Sequence, residues 1–100
     1  MPNGYKSIYN SMLFRLYIGS NNTTHKLETE KAKKVVNRFF EGYTISKAEV
    51  LWKGQVEKSM MIDIETETLE RITELSKELC KELEQQAVGV AQIGTMQFIS

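Results

Sequence analysis

The chain is poor in the residues that most often carry chemistry or covalent cross-links. Its 100 residues include one histidine, one cysteine and one proline. A structural zinc site needs three or four converging ligands, and one histidine with one cysteine is too few. Cys80 also has no second cysteine with which to form an internal disulfide. We therefore expect no metal, no cofactor and no disulfide scaffold.

Long apolar runs and an excess of one charge are also missing. No stretch reaches the roughly 18 apolar residues that a membrane helix needs, and the first ten residues lack the apolar region of a secretory signal. Thirteen basic residues balance thirteen acidic residues, so there is no positive field to hold a polyanion. These absences disfavour a membrane protein and a nonspecific nucleic-acid binder, and they predict a cytoplasmic protein.

The composition that is present is that of a folded domain. Apolar residues make up 41% of the chain and charged residues 26%, which is the globular range. One hundred residues bury one core but not two. We predict an N-terminal arm over residues 1–10 and a single domain over residues 11–100.

Hydrophobic periodicity predicts six elements. Period-two alternation in 12–18, 43–53 and 56–65 indicates strands. The apolar residues of 90–98, broken by Gly94, indicate a last strand that is bulged or bent at the glycine. Spacings of three and four indicate amphipathic helices over two segments, one ending at Gly42 and one running from Leu69 to Ala87, with Gly89 just beyond it. Gly54-Gln55 is expected to form the turn of a hairpin, and Thr66 or Thr68 to cap the second helix.

The resulting order is β-α-β-β-α-β, the order of the ferredoxin-like fold. We predict an α+β sandwich in which a four-stranded antiparallel sheet, in spatial order 4-1-3-2, carries two helices on one face. This topology brings the loop 19–27, the hairpin 53–55 and the junction 85–89 to one end of the sheet. Gly42 and residues 65–68 are expected at the opposite end.

A short stretch of the first predicted strand resembles an RNA-binding family. Leu16-Tyr17-Ile18-Gly19 is similar to the first short motif of RNA-recognition-motif domains, which have this element order and stack bases on strand aromatics. The companion motif would lie in the third strand, where that family has a basic residue, glycine and aromatics. Glu57, Met61 and Asp63 stand there instead, which disfavours RNA recognition.

A longer segment resembles a second group of proteins. The pattern F-E-G-Y-T-I-x-x-A-x-x-x-W-x-G-x-x-E-x-S, from Phe40 to Ser59, is similar to one found in small uncharacterised bacterial and phage proteins of predicted ferredoxin-like fold. The resemblance implies the fold and a bacterial or viral origin, and it implies no activity.

The polar loop after the first strand is the best candidate for a site. Gly19 permits close backbone approach, and small polar side chains follow just ahead of a helix N-terminus, an arrangement that can bind an anion. The same residues also suit a plain connection, and the lone His25 suits a solvated residue or a ligand contact better than a catalytic base. The predicted ligand-binding residues are Gly19, Ser20, Asn21, Asn22, Thr23, Thr24, His25, Trp52, Lys53, Gln55, Gln85 and Gln86, and no residue is predicted to be catalytic.

The uncovered face of the predicted sheet is too apolar to remain bare. We expect self-association through it, although the pattern leaves open which face of strand 43–53 is buried. The predicted interface residues are Leu13, Arg15, Tyr17, Ile45, Leu51 and Met61.

Two functions fit these features. The leading hypothesis is a noncatalytic homo-oligomer that captures a small anionic, nucleotide-like ligand; a phage protein could thereby sequester a host signalling nucleotide. The alternative is a protein-interaction module or inhibitor that binds a partner protein through its sheet face, with the polar loop as a connection. An enzyme with His25 as its base ranks last.

Overall fold

A computed structural model describes residues 7–99 and, among these, the side chains of 11–51 and 53–99. The elements are β1 Ser7–Ile18, α1 Thr29–Val36, β2 Thr44–Trp52, β3 Gln55–Thr66, α2 Leu69–Glu82 and β4 Gly89–Ile99. The strands form one sheet in the order β2-β3-β1-β4, and every neighbouring pair is antiparallel. The predicted α+β, ferredoxin-like β-α-β-β-α-β fold is confirmed.

The first strand begins earlier than its apolar alternation indicates. Ser7 pairs with Ile99 and Tyr9 with Phe98, so residues 7–10 of the predicted arm belong to β1. Asn10 and Ser11 interrupt the apolar pattern, but backbone pairing with β4 does not require apolar side chains. Residues 1–6 of the predicted arm lie outside the described residues.

Both helices end before the predicted residue. The amides of Phe39 and Phe40 both donate to the carbonyl of Val36, at 2.9 Å each, which closes the last turn of α1 before Gly42. Phe40 is nevertheless buried. The predicted stripe of α2 is wrong at its ends, because Leu69 is 54% exposed and Ala87 lies beyond the helix.

The core lies between the helices and one face of the sheet. Its central side chains are at most 1% exposed, so their apolar surface is removed from water and stabilises the fold. They come from β1, β3, both helices and the end of α2: Leu16, Ile18, Val35, Val36, Met60, Ile62, Ile64, Ile72, Leu75, Leu79 and Leu83.

The strands are staggered, so two-stranded ribbons extend from opposite ends of the sheet. Because Ile18 is opposite Met60, residues 55–59 of β3 pass the end of β1 and pair only with 48–52 of β2; we call this the upper ribbon. At the other end Met12 is opposite Thr66, and residues 7–11 of β1 pair only with 96–99 of β4, the lower ribbon. The stagger gives an elongated molecule of 53 × 29 × 19 Å.

The pairing register corrects the predicted interface. Ile45 is opposite Ile62 and Leu51 is opposite Val56. Since Ile62 is buried under the helices and side chains alternate along a strand, Ile45 and Leu51 lie on the helix side. Apolar residues on both faces of β2 prevented the period-two pattern from showing this.

Candidate functional site

A groove of about 1260 Å³ lies between the upper ribbon and the loop that joins β1 to α1. The predicted topology is confirmed here, because this loop, the β2–β3 hairpin and Gln85 meet at one end of the sheet. Seven of the predicted residues line the groove: Gly19, Ser20, Asn21, Asn22, His25, Gln55 and Gln85. Thr23, Thr24, Lys53 and Gln86 do not line it, and the side chain of Trp52 is outside the described part of the chain.

Asn21 organises the loop from a buried position. Its side-chain oxygen accepts hydrogen bonds from the amides of Thr23 (2.7 Å) and Thr24 (3.0 Å). Its amide nitrogen donates to Glu28 Oε1 (3.0 Å), Glu84 Oε2 (3.2 Å) and the carbonyl of Leu83 (3.3 Å). Since Asn21 is 1% exposed, its side chain fixes the loop to the end of α2 and has no donor left for a ligand.

Two further predicted ligand residues, Ser20 and Gln85, use their side chains in hydrogen bonds within the protein. Gln85 Nε2 donates to the carbonyls of Gly19 (3.1 Å) and Ser20 (2.7 Å), and Ser20 Oγ donates to the carbonyl of Lys58 (3.1 Å). These bonds join the loop to the end of α2 and to β3. Ser20 and Gln85 therefore shape the groove wall.

The N-terminus of α1 differs from the predicted anion cradle. The helix begins at Thr29, and the residue before it is Glu28, whose Oε1 accepts the bond from Asn21 and whose Oε2 lies 3.7 Å from Lys31 Nζ. A carboxylate there already meets the positive end of the helix dipole. A ligand anion would be repelled by Glu28, so positive charge in the groove comes from other residues.

That charge comes from three lysines of the groove. Lys26 is on the loop, Lys47 on β2 and Lys58 on β3, and all three are exposed. None makes an ion pair with a residue in the described range 7–99. Two carboxylates, those of Glu49 and Glu57, also line the groove, although Glu57 is opposite Val50 and its side chain points to the other face of the ribbon. The three lysines therefore leave the lining with a net positive charge.

Sequence reasoning missed Lys47 and Lys58 as residues of the groove. Both occupy helix-side positions at the limit of the core: Lys47 is opposite Met60, the last buried residue at this end of β3, and Lys58, opposite Glu49, lies beyond it. The sequence signal for such a residue is a charged side chain at the next position of an apolar alternation, as Lys58 is next to Met60, Ile62 and Ile64. It marks the place where a strand leaves the core and its inner face meets solvent.

Three residues around this end have a left-handed backbone without being glycine. The φ angles are 60° at His25, 50° at Lys53 and 52° at Glu84. This conformation costs an L-residue roughly 1–2 kcal/mol. Each of these residues lies in a tight turn, and the turn imposes the left-handed conformation. In the loop, this conformation presents the exposed His25 side chain in the same groove as the three lysines.

The open face of the sheet has a polar centre. Arg15 Nε and Nη2 donate to the two carboxylate oxygens of Asp63 at 2.8 and 2.9 Å, and this pairing raises the pKa of Arg15. Leu13, Tyr17 and Met61 lie on the same face, and Tyr17 is 44% exposed. Four of the six predicted interface residues therefore share this face.

The part of the chain that the structure describes contains no group of three or more histidine, cysteine, aspartate or glutamate side chains placed to hold a metal. In the same residues, neither helix has the length and apolar character needed to cross a membrane.

No family model and no curated protein matches the chain. Among solved structures, the de novo designed protein Foldit4 is similar, with a TM-score of 0.45 and 18% identity over 87% of this chain and 94% of that chain.

Proposed function

We propose that the chain is a noncatalytic, homo-oligomeric protein that captures a small anionic, nucleotide-like ligand in the groove under the upper ribbon. The observation that carries this proposal is the group of three lysines, Lys26, Lys47 and Lys58, which line the groove without an ion pair in the described range. A lysine ammonium is a compact charge with three donors and suits a phosphate oxygen. His25, on the same wall, adds a further donor.

The upper ribbon also offers an apolar contact beyond the lysines. Leu51 is opposite Val56 on the groove side, and they are 75% and 58% exposed. Val56 is two positions from Lys58, which is about 7 Å along a strand. A ligand with a phosphate at one end and a flat base at the other matches this succession of charge and apolar surface. In a phage protein, such a groove would sequester a host signalling nucleotide.

The test is thermal unfolding against a panel of mono-, di- and cyclic nucleotides, with inorganic phosphate as a reference. A ligand present at 100 times its Kd stabilises the native state by about 2.7 kcal/mol. We expect at least one nucleotide to raise the Tm, and we expect Lys47→Ala and Lys58→Ala to reduce that rise. Lys77→Ala is the matched control, because Lys77 is an exposed lysine of α2 that does not line the groove.

The predicted residues outside the groove sharpen this test. Gln86→Ala should keep the nucleotide-dependent rise in Tm, because Gln86 does not line the groove. The proposal is wrong if no nucleotide changes the Tm, or if Lys47→Ala and Lys58→Ala retain the full rise.

The open face supports a second candidate, binding of a partner protein. Leu13, Tyr17 and Met61 flank the Arg15–Asp63 ion pair on the face that no helix covers, and tyrosine, methionine and arginine are enriched in protein–protein interfaces. Under this alternative, Tyr17→Glu abolishes partner capture and leaves nucleotide stabilisation unchanged, while the lysine variants have no effect on capture.

A further inference from the structure

The two edges of the sheet differ in their protection. Exposed edge strands normally carry charged residues or proline, which discourage pairing with another chain. β2 carries Lys47 and Glu49, whereas β4, GVAQIGTMQFI, has no charged residue and no proline along its length. The outer edge of β4 is therefore a neutral template for a further strand.

A bulge divides β4, and a second register shift, which leaves Ile8 of β1 as an extra residue, lies between Phe98 and Ile99. Gly94 is opposite Leu13 and Gln92 is opposite Phe14, so Ile93 is an extra residue. From Thr95 to Phe98 the pairing with β1 continues without interruption, from Met12 to Tyr9. The bulge protects the middle of this edge, and the segment after it is free of that protection.

The part of β4 after the bulge includes residues that have only one neighbouring strand in the sheet. Residues 96–99 belong to the lower ribbon, which extends past the end of β3 at Thr66. A two-stranded ribbon is marginal in water, and a third strand stabilises it. Strand addition at this edge would therefore have a structural benefit.

We propose that residues 95–99 pair antiparallel with the same segment of a second copy, about a two-fold axis at Gln97. Gln97 of each copy then faces Gln97 of the other, and Met96 faces Phe98. No like charges meet, because the segment is neutral. Such an interface is closed by its symmetry, and the two four-stranded sheets become one continuous sheet.

This proposal deepens the homo-oligomer in the proposed function and does not depend on the ligand. It assigns the contact to an edge, whereas the proposed partner-protein surface is the open face around Arg15 and Asp63. The two surfaces can therefore be separated by substitution.

The first experiment measures the mass of the full chain by light scattering over a dilution series. We expect a dimer whose dissociation constant rises by about tenfold or more in Gln97→Lys, since two ammonium groups would face each other across the axis. Ser46→Lys is the matched control, because it places the same side chain on the other edge strand, at an exposed position. Circular dichroism checks that both variants are folded.

A cross-link tests the register. In a Cys80→Ser background, Gln97→Cys should form a disulfide-linked dimer under a mild oxidant, because directly opposite residues of an antiparallel pair are about 4.5–5.5 Å apart. Gln92→Cys, on the other side of the bulge, should not form one.

The proposal would be overturned by a monomeric wild-type chain, by a dimer that Gln97→Lys leaves unchanged, or by a dimer lost only in Tyr17→Glu. Nucleotide stabilisation measured on folded Gln97→Lys tests the ligand separately.

Discussion

At the scale of single residues, Asn21 and Asn22 show why a local sequence cannot separate structure from function. They are adjacent and chemically identical, yet Asn21 is 1% exposed and its side chain forms five hydrogen bonds, while Asn22 is exposed. The partners Leu83 and Glu84 are far away in sequence and could not be inferred from the loop. The polar character of the loop was predictable, but the assignment of its donors was not.

We predict that Asn21→Ala lowers the free energy of unfolding by about 2–4 kcal/mol, because it leaves the amides of Thr23 and Thr24 and the buried carbonyl of Leu83 without their partner. Asn22→Ala, at the neighbouring exposed position, should change it by less than about 0.5 kcal/mol. Chemical denaturation of the three proteins measures the difference. Similar losses in both variants would contradict the structural role of Asn21.

Asn21→Asp separates the donor from the acceptor of the same side chain. The new carboxylate still accepts from Thr23 and Thr24 but faces the carboxylates of Glu28 and Glu84. We expect Asn21→Asp to be strongly destabilised at neutral pH and to recover part of its stability as the carboxylates become protonated in acid. Denaturation as a function of pH tests this, and a pH-independent loss would show that repulsion is not the cause.

At the scale of elements, the β2–β3 turn shows which features of a hairpin can be predicted from the local sequence. The β2–β3 turn was predicted at Gly54-Gln55, but Trp52 is opposite Gln55, and Lys53 and Gly54 are the turn residues. Their φ angles of 50° and 76° are those of a type I′ turn, which favours Asn-Gly. The glycine located the hairpin, and lysine at the first position concealed its register.

We predict that Lys53→Asn raises the free energy of unfolding by about 0.5–1 kcal/mol, since asparagine tolerates a left-handed backbone better than lysine. Gly54→Ala should lower it by about 1 kcal/mol or more, because alanine is strained at this φ even though a Cβ there meets no atom within 4 Å. Denaturant midpoints of both variants give the comparison. Stabilisation by Gly54→Ala would contradict the turn assignment.

The end of α2 was missed for a similar reason. The helix was predicted to run to Ala87, with Gly89 just past its end, whereas it ends at Glu82 and Glu84 takes the left-handed position that glycine usually occupies. The amide of Gln85 donates to the carbonyl of Cys80 at 2.9 Å, which completes the helix-end motif. Glu84 is placed there to accept from Asn21, a long-range requirement that overrides the local preference.

The contact between the two helices carries a pH dependence. Arg38, just after α1, donates to Glu82 Oε2 on α2 at 2.5 Å and also lies 3.6 Å from Glu78 Oε1. The hydrogen bond from Arg38 lowers the pKa of Glu82 below its ordinary value. A lowered carboxyl pKa in the folded state stabilises the protein above the unfolded-state pKa, and this contribution is lost as pH falls through the folded-state pKa.

We therefore predict that Arg38→Ala raises the pKa of Glu82 and flattens the acid limb of the stability curve below the ordinary glutamate range. NMR titration of the Glu82 carboxyl measures the shift directly. Lys34→Ala removes another exposed positive charge, on α1, that makes no ion pair with a described residue, and it should leave that pKa unchanged. An equal shift in both variants would indicate a general charge effect instead of the Arg38 hydrogen bond.

At the scale of the whole molecule, periodicity was sufficient for the fold but not for the stagger of its strands. Helix and strand periods follow from which side chains face the core, so the order of elements and the end of the sheet that holds the groove were predictable. The ribbons extend beyond the core, where no buried face imposes a periodic pattern of apolar residues on the sequence. Of the groove lysines, Lys58 lies in the upper ribbon and Lys47 comes just before it on β2, which is why only the register revealed them.

The stagger predicts unequal local stability. Amides of the upper ribbon, 48–52 and 55–59, are supported by one neighbouring strand and no core, so they should exchange with solvent through local opening. Amides of Leu16 and Ile62, in the central strands, should require global unfolding, at about 5–15 kcal/mol. Native-state hydrogen exchange measures both, and Gly54→Ala should accelerate exchange in the ribbon more than in the core.

The lower ribbon gives the sharper form of this prediction, because its support would come from a second copy. If residues 95–99 pair across a two-fold axis, the outward-facing amides among them gain protection in the dimer and lose it on dilution, while the core amides of Leu16 and Ile62 change much less. The upper ribbon, at the opposite end, is the internal control and should be insensitive to concentration. Protection of 95–99 that does not change with concentration, in a chain whose mass does change, would place the dimer contact elsewhere and leave β4 as an uncovered edge.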